Sequence, residues 1–156
     1  MRAGLIGWRG MVGSVLMERM RAEGDFEGLD VGFFSTSSPG RPGPDVGHGA
    51  QSLLDAYDLD VLASFDVLVT CQGGDYTNRV YPALRGNGWK GVWIDAASAL
   101  RMASDTALVL DPINRDVIDA AWSNGCRTFA GANCTVSLLL MGLQGLIQTG
   151  HVDWIS

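Results

Sequence analysis

The sequence predicts an α/β fold, doubly wound about a mostly parallel sheet. Three observations predict it. Short apolar runs recur along the chain, and most end in glycines, small residues or hydroxyls: Ala3–Ile6, Asp30–Phe34, Asp66–Thr70, Val92–Asp95, Ala107–Leu110 and Thr128–Ala130. Stretches with helical spacing of apolar residues separate several of them, the alternation that builds parallel sheets with helices on their faces. The first run passes directly into Gly7-Trp8-Arg9-Gly10-Met11-Val12-Gly13, a G-x-x-G-x-x-G turn before a helix. Such a turn opens the Rossmann-type unit, in which a helix N-terminus receives a pyrophosphate.

Composition sets the outer bounds. The chain has 156 residues, 47% apolar and 18% charged, enough for a folded domain with its own core. Its net charge of −6 gives no electrostatic footprint for nucleic acid or an anionic membrane. A phosphate-bearing ligand must therefore be held by backbone N–H groups, hydroxyls and individual arginines; Lys90 is the only lysine. Met1–Ile6 is too short for a secretory leader, and no window approaches a membrane span. Cys71, Cys126 and Cys134 make an odd count without a disulfide-scaffold spacing, and no Cys/His/carboxylate cluster has metal-ligand spacing. A reduced, cytoplasmic protein is expected.

After the glycine turn, Val12, Val15, Leu16, Arg19 and Met20 recur at helical spacing. The second strand ends in Ser35-Thr36-Ser37-Ser38, where an NAD-binding unit carries an acidic residue for the ribose 2′-OH. Hydroxyls there accept a 2′-phosphate that a carboxylate would repel, which favours NADP; the competing reading is a turn satisfying its own backbone. Residues 38–50 form a Pro/Gly loop in which Arg41 and His48 read as surface residues. The strand Asp66–Thr70 leads to Cys71-Gln72-Gly73-Gly74-Asp75; Gln72 is a candidate cofactor contact, Cys71 reads as core, and Asp75 as the N-cap of a helix over 76–84. Val92–Asp95 leads to Ala96-Ala97-Ser98-Ala99-Leu100-Arg101. Taken alone, Arg101 is either an anion anchor or a snorkelling surface side chain, and the second reading is favoured. Ala107–Leu110 precedes a helix over 115–124, with Cys126 in the following turn and nothing nearby to activate it.

The strand Thr128–Ala130 enters Gly131-Ala132-Asn133-Cys134-Thr135-Val136-Ser137, and an apolar helix then runs through Leu138–Ile147 until Gly150 ends it. A cysteine in the first turn of a helix faces unpaired N–H groups and the positive end of the dipole, which favour its thiolate. Cys134 is thus a candidate nucleophile, against the alternative of a small residue packed under a helix start. His151–Ser156 reads as the opening of another strand.

Five stretches carry a family resemblance: Gly4–Ser14, Phe33–Ser37, Val69–Asn78, Trp93–Met102 and Asn133–Ser137. In this order and spacing they resemble the N-terminal part of bacterial aspartate-β-semialdehyde dehydrogenase, over essentially the whole chain. The resemblance implies NADPH-dependent, reversible reduction of L-aspartyl-4-phosphate to L-aspartate-4-semialdehyde with release of phosphate. That step leads toward lysine (through diaminopimelate), methionine and threonine. It makes Cys134 the nucleophile that forms an acyl-thioester and Arg101 the substrate-phosphate ligand. Gly7, Arg9, Gly10, Met11, Val12 and Gly13 form the pyrophosphate turn, Thr36 and Ser37 hold the 2′-phosphate, and Gln72 touches the cofactor. Asn133 and the helix-start N–H groups are candidate oxyanion donors. Residues 1–132 correspond to the NADP-binding domain and 133–156 to the cysteine helix and the start of a catalytic and dimerisation domain.

The family's general-base histidine, substrate-orienting glutamine and α-carboxylate arginine have no counterparts here, and His151 is at the wrong place in the motif order to be the base. The expectation is NADP(H) binding with negligible turnover by this chain alone, and a homodimer for the longer enzyme. Two other cysteine-plus-Rossmann enzymes, N-acetyl-glutamyl-phosphate reductase and glyceraldehyde-phosphate dehydrogenase, lack both the Asn-Cys-Thr-Val-Ser context and the Trp-Arg-Gly-Met-Val-Gly turn. A non-catalytic NADP(H)-binding module or regulatory paralogue is the alternative from another class. A freestanding chain would also leave the Leu138–Ile147 face uncovered, which favours association.

Overall fold

The computed structural model describes residues 1–47, 49–151 and 154. The expectation for His48 and most of the expected strand over 151–156 fall outside them. Seven strands and five helices follow in the order β1 (Arg2–Ile6), α1 (Met11–Glu23), β2 (Asp30–Ser35), β3 (Leu54–Asp55), α2 (Leu59–Ala63), β4 (Val67–Thr70), α3 (Gly74–Gly86), β5 (Val92–Asp95), β6 (Ala107–Val109), α4 (Asp111–Ser123), β7 (Thr128–Gly131) and α5 (Cys134–Gln148). The strands form one sheet in the order β3-β2-β1-β4-β5-β7-β6, every pairing parallel. β1 lies between β2 and β4, so the chain winds outward to β3 and then returns to the other side. The carboxyl ends of β1 and β4 therefore mark the switch point at which such sheets bind ligands.

Alternating strand residues build two separate cores. On one face Ile6, Phe34, Leu68 and Trp93 pack with Leu62 of α2 and with Tyr76, Val80, Tyr81 and Leu84 of α3. Leu5, Val31 and Phe33 point to the other face, where Met17 of α1 and Phe26 cover them. The first core is sealed: Trp93 is 0% exposed, with its ring against Tyr76, Tyr81 and Trp89. The second fades across the sheet, leaving Ile94 of β5 exposed. Each buried aromatic contributes on the order of 2–3 kcal/mol of apolar transfer, so the α2/α3 face carries most of the packing.

Several expected boundaries move. Asp75 does not cap α3: Gly73, with φ at +103°, turns the chain into the helix earlier and Asp75 sits inside the first turn, where its charge suits the dipole. The helix expected over 115–124 begins at Asp111, with Pro112 in its first turn and a break at Asn114 (φ −130°, ψ 39°). There the Asn114 Oδ1 accepts the Leu110 N–H at 2.9 Å, while the Asn114 N–H keeps its own bond to Leu110 O at 3.1 Å. β3 and α2, the latter capped by Asp58 accepting from the Asp60 and Val61 N–H groups, were not expected. No helix among the described residues is long and apolar enough to cross a membrane.

Candidate active site

The glycine turn shapes the first half of the site. Gly7 has φ +74°, and a Cβ there would lie 2.5 Å from both the Cys71 carbonyl carbon and the Gln72 nitrogen. The β1 and β4 ends thus approach in a way only glycine permits. A Cβ on Gly13 would meet Gly7 O and Trp8 Cα. Gly10 is the N-cap of α1 and offers no side-chain cap. The first-turn N–H groups of Met11, Val12 and Gly13 are left without protein acceptors among the described residues, the arrangement that suits an external anion.

Beside this turn a hollow of about 340 Å³ is walled by Trp8 and Arg9, by Ser35–Ser37 and by Cys71 and Gln72. Arg9 Nη2 donates to Ser35 Oγ at 2.9 Å and to Ser38 Oγ at 3.2 Å. The buried Ser35 Oγ also accepts the Ser38 N–H at 3.0 Å and lies 3.1 Å from Ser38 Oγ. With its lone pairs occupied, Ser35 gives its single proton to Ser38, leaving the Ser38 hydroxyl free to donate outward. The hydroxyls that organise this cradle are Ser35 and Ser38, which the motif reading passed over. Thr36 is half-buried and Ser37 exposed along the same wall. Gln72 is exposed, with its N–H held by Thr70 Oγ1 at 3.2 Å. Met11 is exposed and Val12 turns away from the hollow into an adjoining groove. A second hollow of about 350 Å³ at the amino end of β2 gathers no cationic side chain among the described residues.

The second half is the turn from β7 into α5. Cys134 is exposed at the first position of α5. Asn133 caps the helix: its Oδ1 accepts from Thr135 N at 3.0 Å and Val136 N at 3.1 Å. Two of the N–H groups expected to face the thiol are therefore already taken, and the Cys134 N–H is left without a protein acceptor among the described residues. Arg101 is no surface arginine. Half-buried, it donates from Nε to Gly131 O at 2.8 Å and from Nη2 to Ala132 O at 3.3 Å. One edge of the guanidinium is fixed to the cysteine turn, and Nη1 has no protein partner among the described residues. This convergence joins Arg101, Asn133 and Cys134.

An almost wholly apolar groove of about 230 Å³ links the two halves, from Cys71, which also lines the hollow, past Val12 and Ile94 to Gly131. Cys71 is thus half-buried at the site rather than within a core. Burial pushes its thiol up, and the nearby Asp95 carboxylate adds to the shift. Cys126 lies apart, its Sγ donating to the Thr128 carbonyl at 3.2 Å. No group of three or more metal-ligating side chains occurs among the described residues.

Comparison with known proteins agrees with this architecture. Residues 2–121 match the family described as semialdehyde dehydrogenase, NAD binding domain. The structure is similar to aspartate semialdehyde dehydrogenase from Francisella tularensis, with 48% identity and a TM-score of 0.90, over 96% of this chain and 41% of that one. Two more distant structures share the fold. Aspartate semialdehyde dehydrogenase II from Vibrio cholerae, complexed with ASA, has 21% identity and a TM-score of 0.77, over 94% of this chain and 46% of that one. The Candida albicans enzyme with NADP has 16% identity and a TM-score of 0.72, over 95% and 47%. The chain spans less than half the length of these relatives. It belongs to the semialdehyde dehydrogenase family, as an aspartate-semialdehyde-dehydrogenase-like nucleotide-binding domain.

Proposed function

We propose that this member of the semialdehyde dehydrogenase family supplies the NADP(H) site and the nucleophile of an oxidoreductase that reversibly reduces L-aspartyl-4-phosphate to L-aspartate-4-semialdehyde, releasing phosphate. The observation that carries the reading is the Arg101 clip, which brings a guanidinium, its Nη1 without a protein partner among the described residues, to the turn bearing the exposed Cys134.

The chemistry follows from the groups present. An acyl phosphate is electrophilic at carbon and anionic at phosphorus, so an arginine beside the thiol orients it for attack and offsets charge on the departing phosphate. Attack by the Cys134 thiolate forms a thioester, and the bond to phosphate breaks. The Cys134 N–H is the donor best left free to the developing oxyanion, and Asn133 holds the helix start that presents it. Gly7, Gly10 and Gly13 shape the pyrophosphate turn with Arg9, Met11 and Val12. Arg9, Thr36 and Ser37, with Ser35 and Ser38, favour the 2′-phosphate of NADP(H) over NAD(H), and Gln72 flanks the cofactor. Bound there, the cofactor supplies hydride; the apolar groove toward Gly131 offers a water-poor path between cofactor and thioester. The reaction belongs to the route toward lysine (through diaminopimelate), methionine and threonine.

The longer polypeptide is read as a cytoplasmic homodimer. The division at 132/133 is supported by α5, which buries none of its residues while Leu138, Leu139, Met141 and Leu146 are exposed. Intact-mass spectrometry after exposure to L-aspartyl-4-phosphate tests the nucleophile: one acyl adduct is expected on the chain and none on Cys134→Ser. Titration with both nucleotides tests the cofactor: Arg9→Ala is expected to weaken NADPH binding by about tenfold or more, with little change for NADH. NADPH binding with no adduct would overturn the enzyme reading in favour of a non-catalytic nucleotide-binding module. Phosphate-dependent NADPH formation by these 156 residues alone would overturn the expected lack of turnover.

A further inference from the structure

The steps above leave a buried carboxyl group unused. Asp95 ends β5 and is 1% exposed, and no cation pairs with it among the described residues. A buried carboxylate without a counter-ion is costly, and packing alone would be served by an apolar side chain. Its two oxygens reach in different directions. Oδ2 accepts from Thr77 Oγ1 at 2.6 Å, and Thr77, itself 0% exposed, belongs to α3. Oδ1 accepts the Ala97 N–H at 2.8 Å.

Ala97 opens the turn that carries Arg101. The Arg101 N–H closes that turn on Ser98 O at 3.1 Å, and Leu100 seats it against the aromatic core. The β7 turn starts beside the same residue, since β5 and β7 pair at Asp95 and Ala130. We infer that Asp95 is a positioning residue for Arg101: through Ala97 on one side and Thr77 on the other, it fixes the turn from which the guanidinium reaches the Cys134 loop. The inference rests on the proposed role of Arg101 as the phosphate anchor. It extends that reading to a residue whose carboxylate is held by Thr77 and Ala97.

The test uses the 156-residue chain, inorganic phosphate as probe and the alkylation rate of Cys134, followed by site-resolved mass spectrometry, as readout. NADPH affinity is measured on the same samples to report the fold. Asp95→Ala is expected to raise the phosphate concentration needed for half the change in alkylation rate by about tenfold, with NADPH affinity preserved. Asp95→Asn is expected to stay within about threefold of the parent, because an amide still accepts from Ala97 and can donate to Thr77. Should Asp95→Ala not fold, Thr77→Val carries the test, with a weakening of about threefold expected.

Unchanged phosphate dependence in a folded Asp95→Ala or Thr77→Val chain would overturn the inference. So would an Asp95→Asn chain as weak as Asp95→Ala, since charge rather than position would then be responsible. A parent chain whose Cys134 ignores phosphate, as Arg101→Ala is expected to, would instead remove the reading of Arg101 itself, and the inference with it.

Discussion

Two strand-to-helix turns stand at the same edge of the sheet and treat their helix N-termini in opposite ways. At the β1–α1 turn, Gly10 provides no side chain and borders an open hollow, and the first N–H groups of α1 have no protein acceptor among the described residues. At the β7–α5 turn, Asn133 fills that role itself, accepting from Thr135 and Val136. The first turn leaves its helix-start N–H groups open, the arrangement that suits an external anion. The second has satisfied two of its first N–H groups with its own side chain, leaving the Cys134 N–H and the Arg101 guanidinium as the donors beside it. The same dipole is left open at one turn and capped at the other, where it starts the helix on which a thiol stands. The comparison locates selectivity in the cap residue rather than in the strand–turn–helix architecture the two share.

The contrast can be broken at its root with Gly7→Ala. The positive φ and the close approach to the Cys71 backbone predict a loss of about 3 kcal/mol or more in urea unfolding, with NADPH binding abolished. Gly10→Ala, at φ −71°, should cost less than about 1 kcal/mol. Exchanging the caps sharpens the comparison. Gly10→Asp puts an acceptor over the α1 N–H groups and is expected to lower NADPH affinity by about tenfold while stability moves only a few tenths of a kcal/mol. Asn133→Ala should destabilise by about 1 kcal/mol in the same unfolding assay. Unchanged nucleotide affinity in Gly10→Asp would remove the functional meaning of the difference.

The smallest effect concerns two thiols, Cys71 on the groove and Cys134 on the turn beyond its far end. Cys71 has its pKa raised above the ordinary 9.0 by burial and by Asp95. Because the fold favours the protonated thiol, the stability it contributes is complete below about pH 9 and lost as pH rises through the raised value. The urea midpoint is expected to decline above pH 9, less steeply in Cys71→Ala, and Cys134 should be alkylated before Cys71 at pH 8.

The sheet was legible because its strands are continuous apolar runs closed by small residues, and the glycine turn because Gly7 and Gly13 can be nothing else. β3 and α2 escaped because two and five residues are too few to establish a period, although Asp58 just before Leu59 was a readable cap. The hydroxyl run at the end of β2 was visible, but which hydroxyl turns inward is decided by the pleat, and it is Ser35 that does. Arg101 could not be read from its neighbours: its partners lie 30 and 31 residues downstream and meet it only because β5 and β7 pair. Asp95 was hidden for the same reason, its partner Thr77 lying on a helix behind the sheet.

The central place of β1 has a consequence for synthesis. β1 can pair with β2 once about the first 35 residues are free, but its other neighbour ends near residue 70. At about 5–20 residues per second, the hollow between Gly7 and Gln72 lacks one wall for roughly 2–7 seconds of translation. Cys134 leaves the ribosome roughly 3–12 seconds after that wall is made. The hollow beside the glycine turn thus has all its walls on the nascent chain before Cys134 is outside the ribosome, and a dinucleotide bound there early would brace the half-built sheet against which the cysteine helix is laid down.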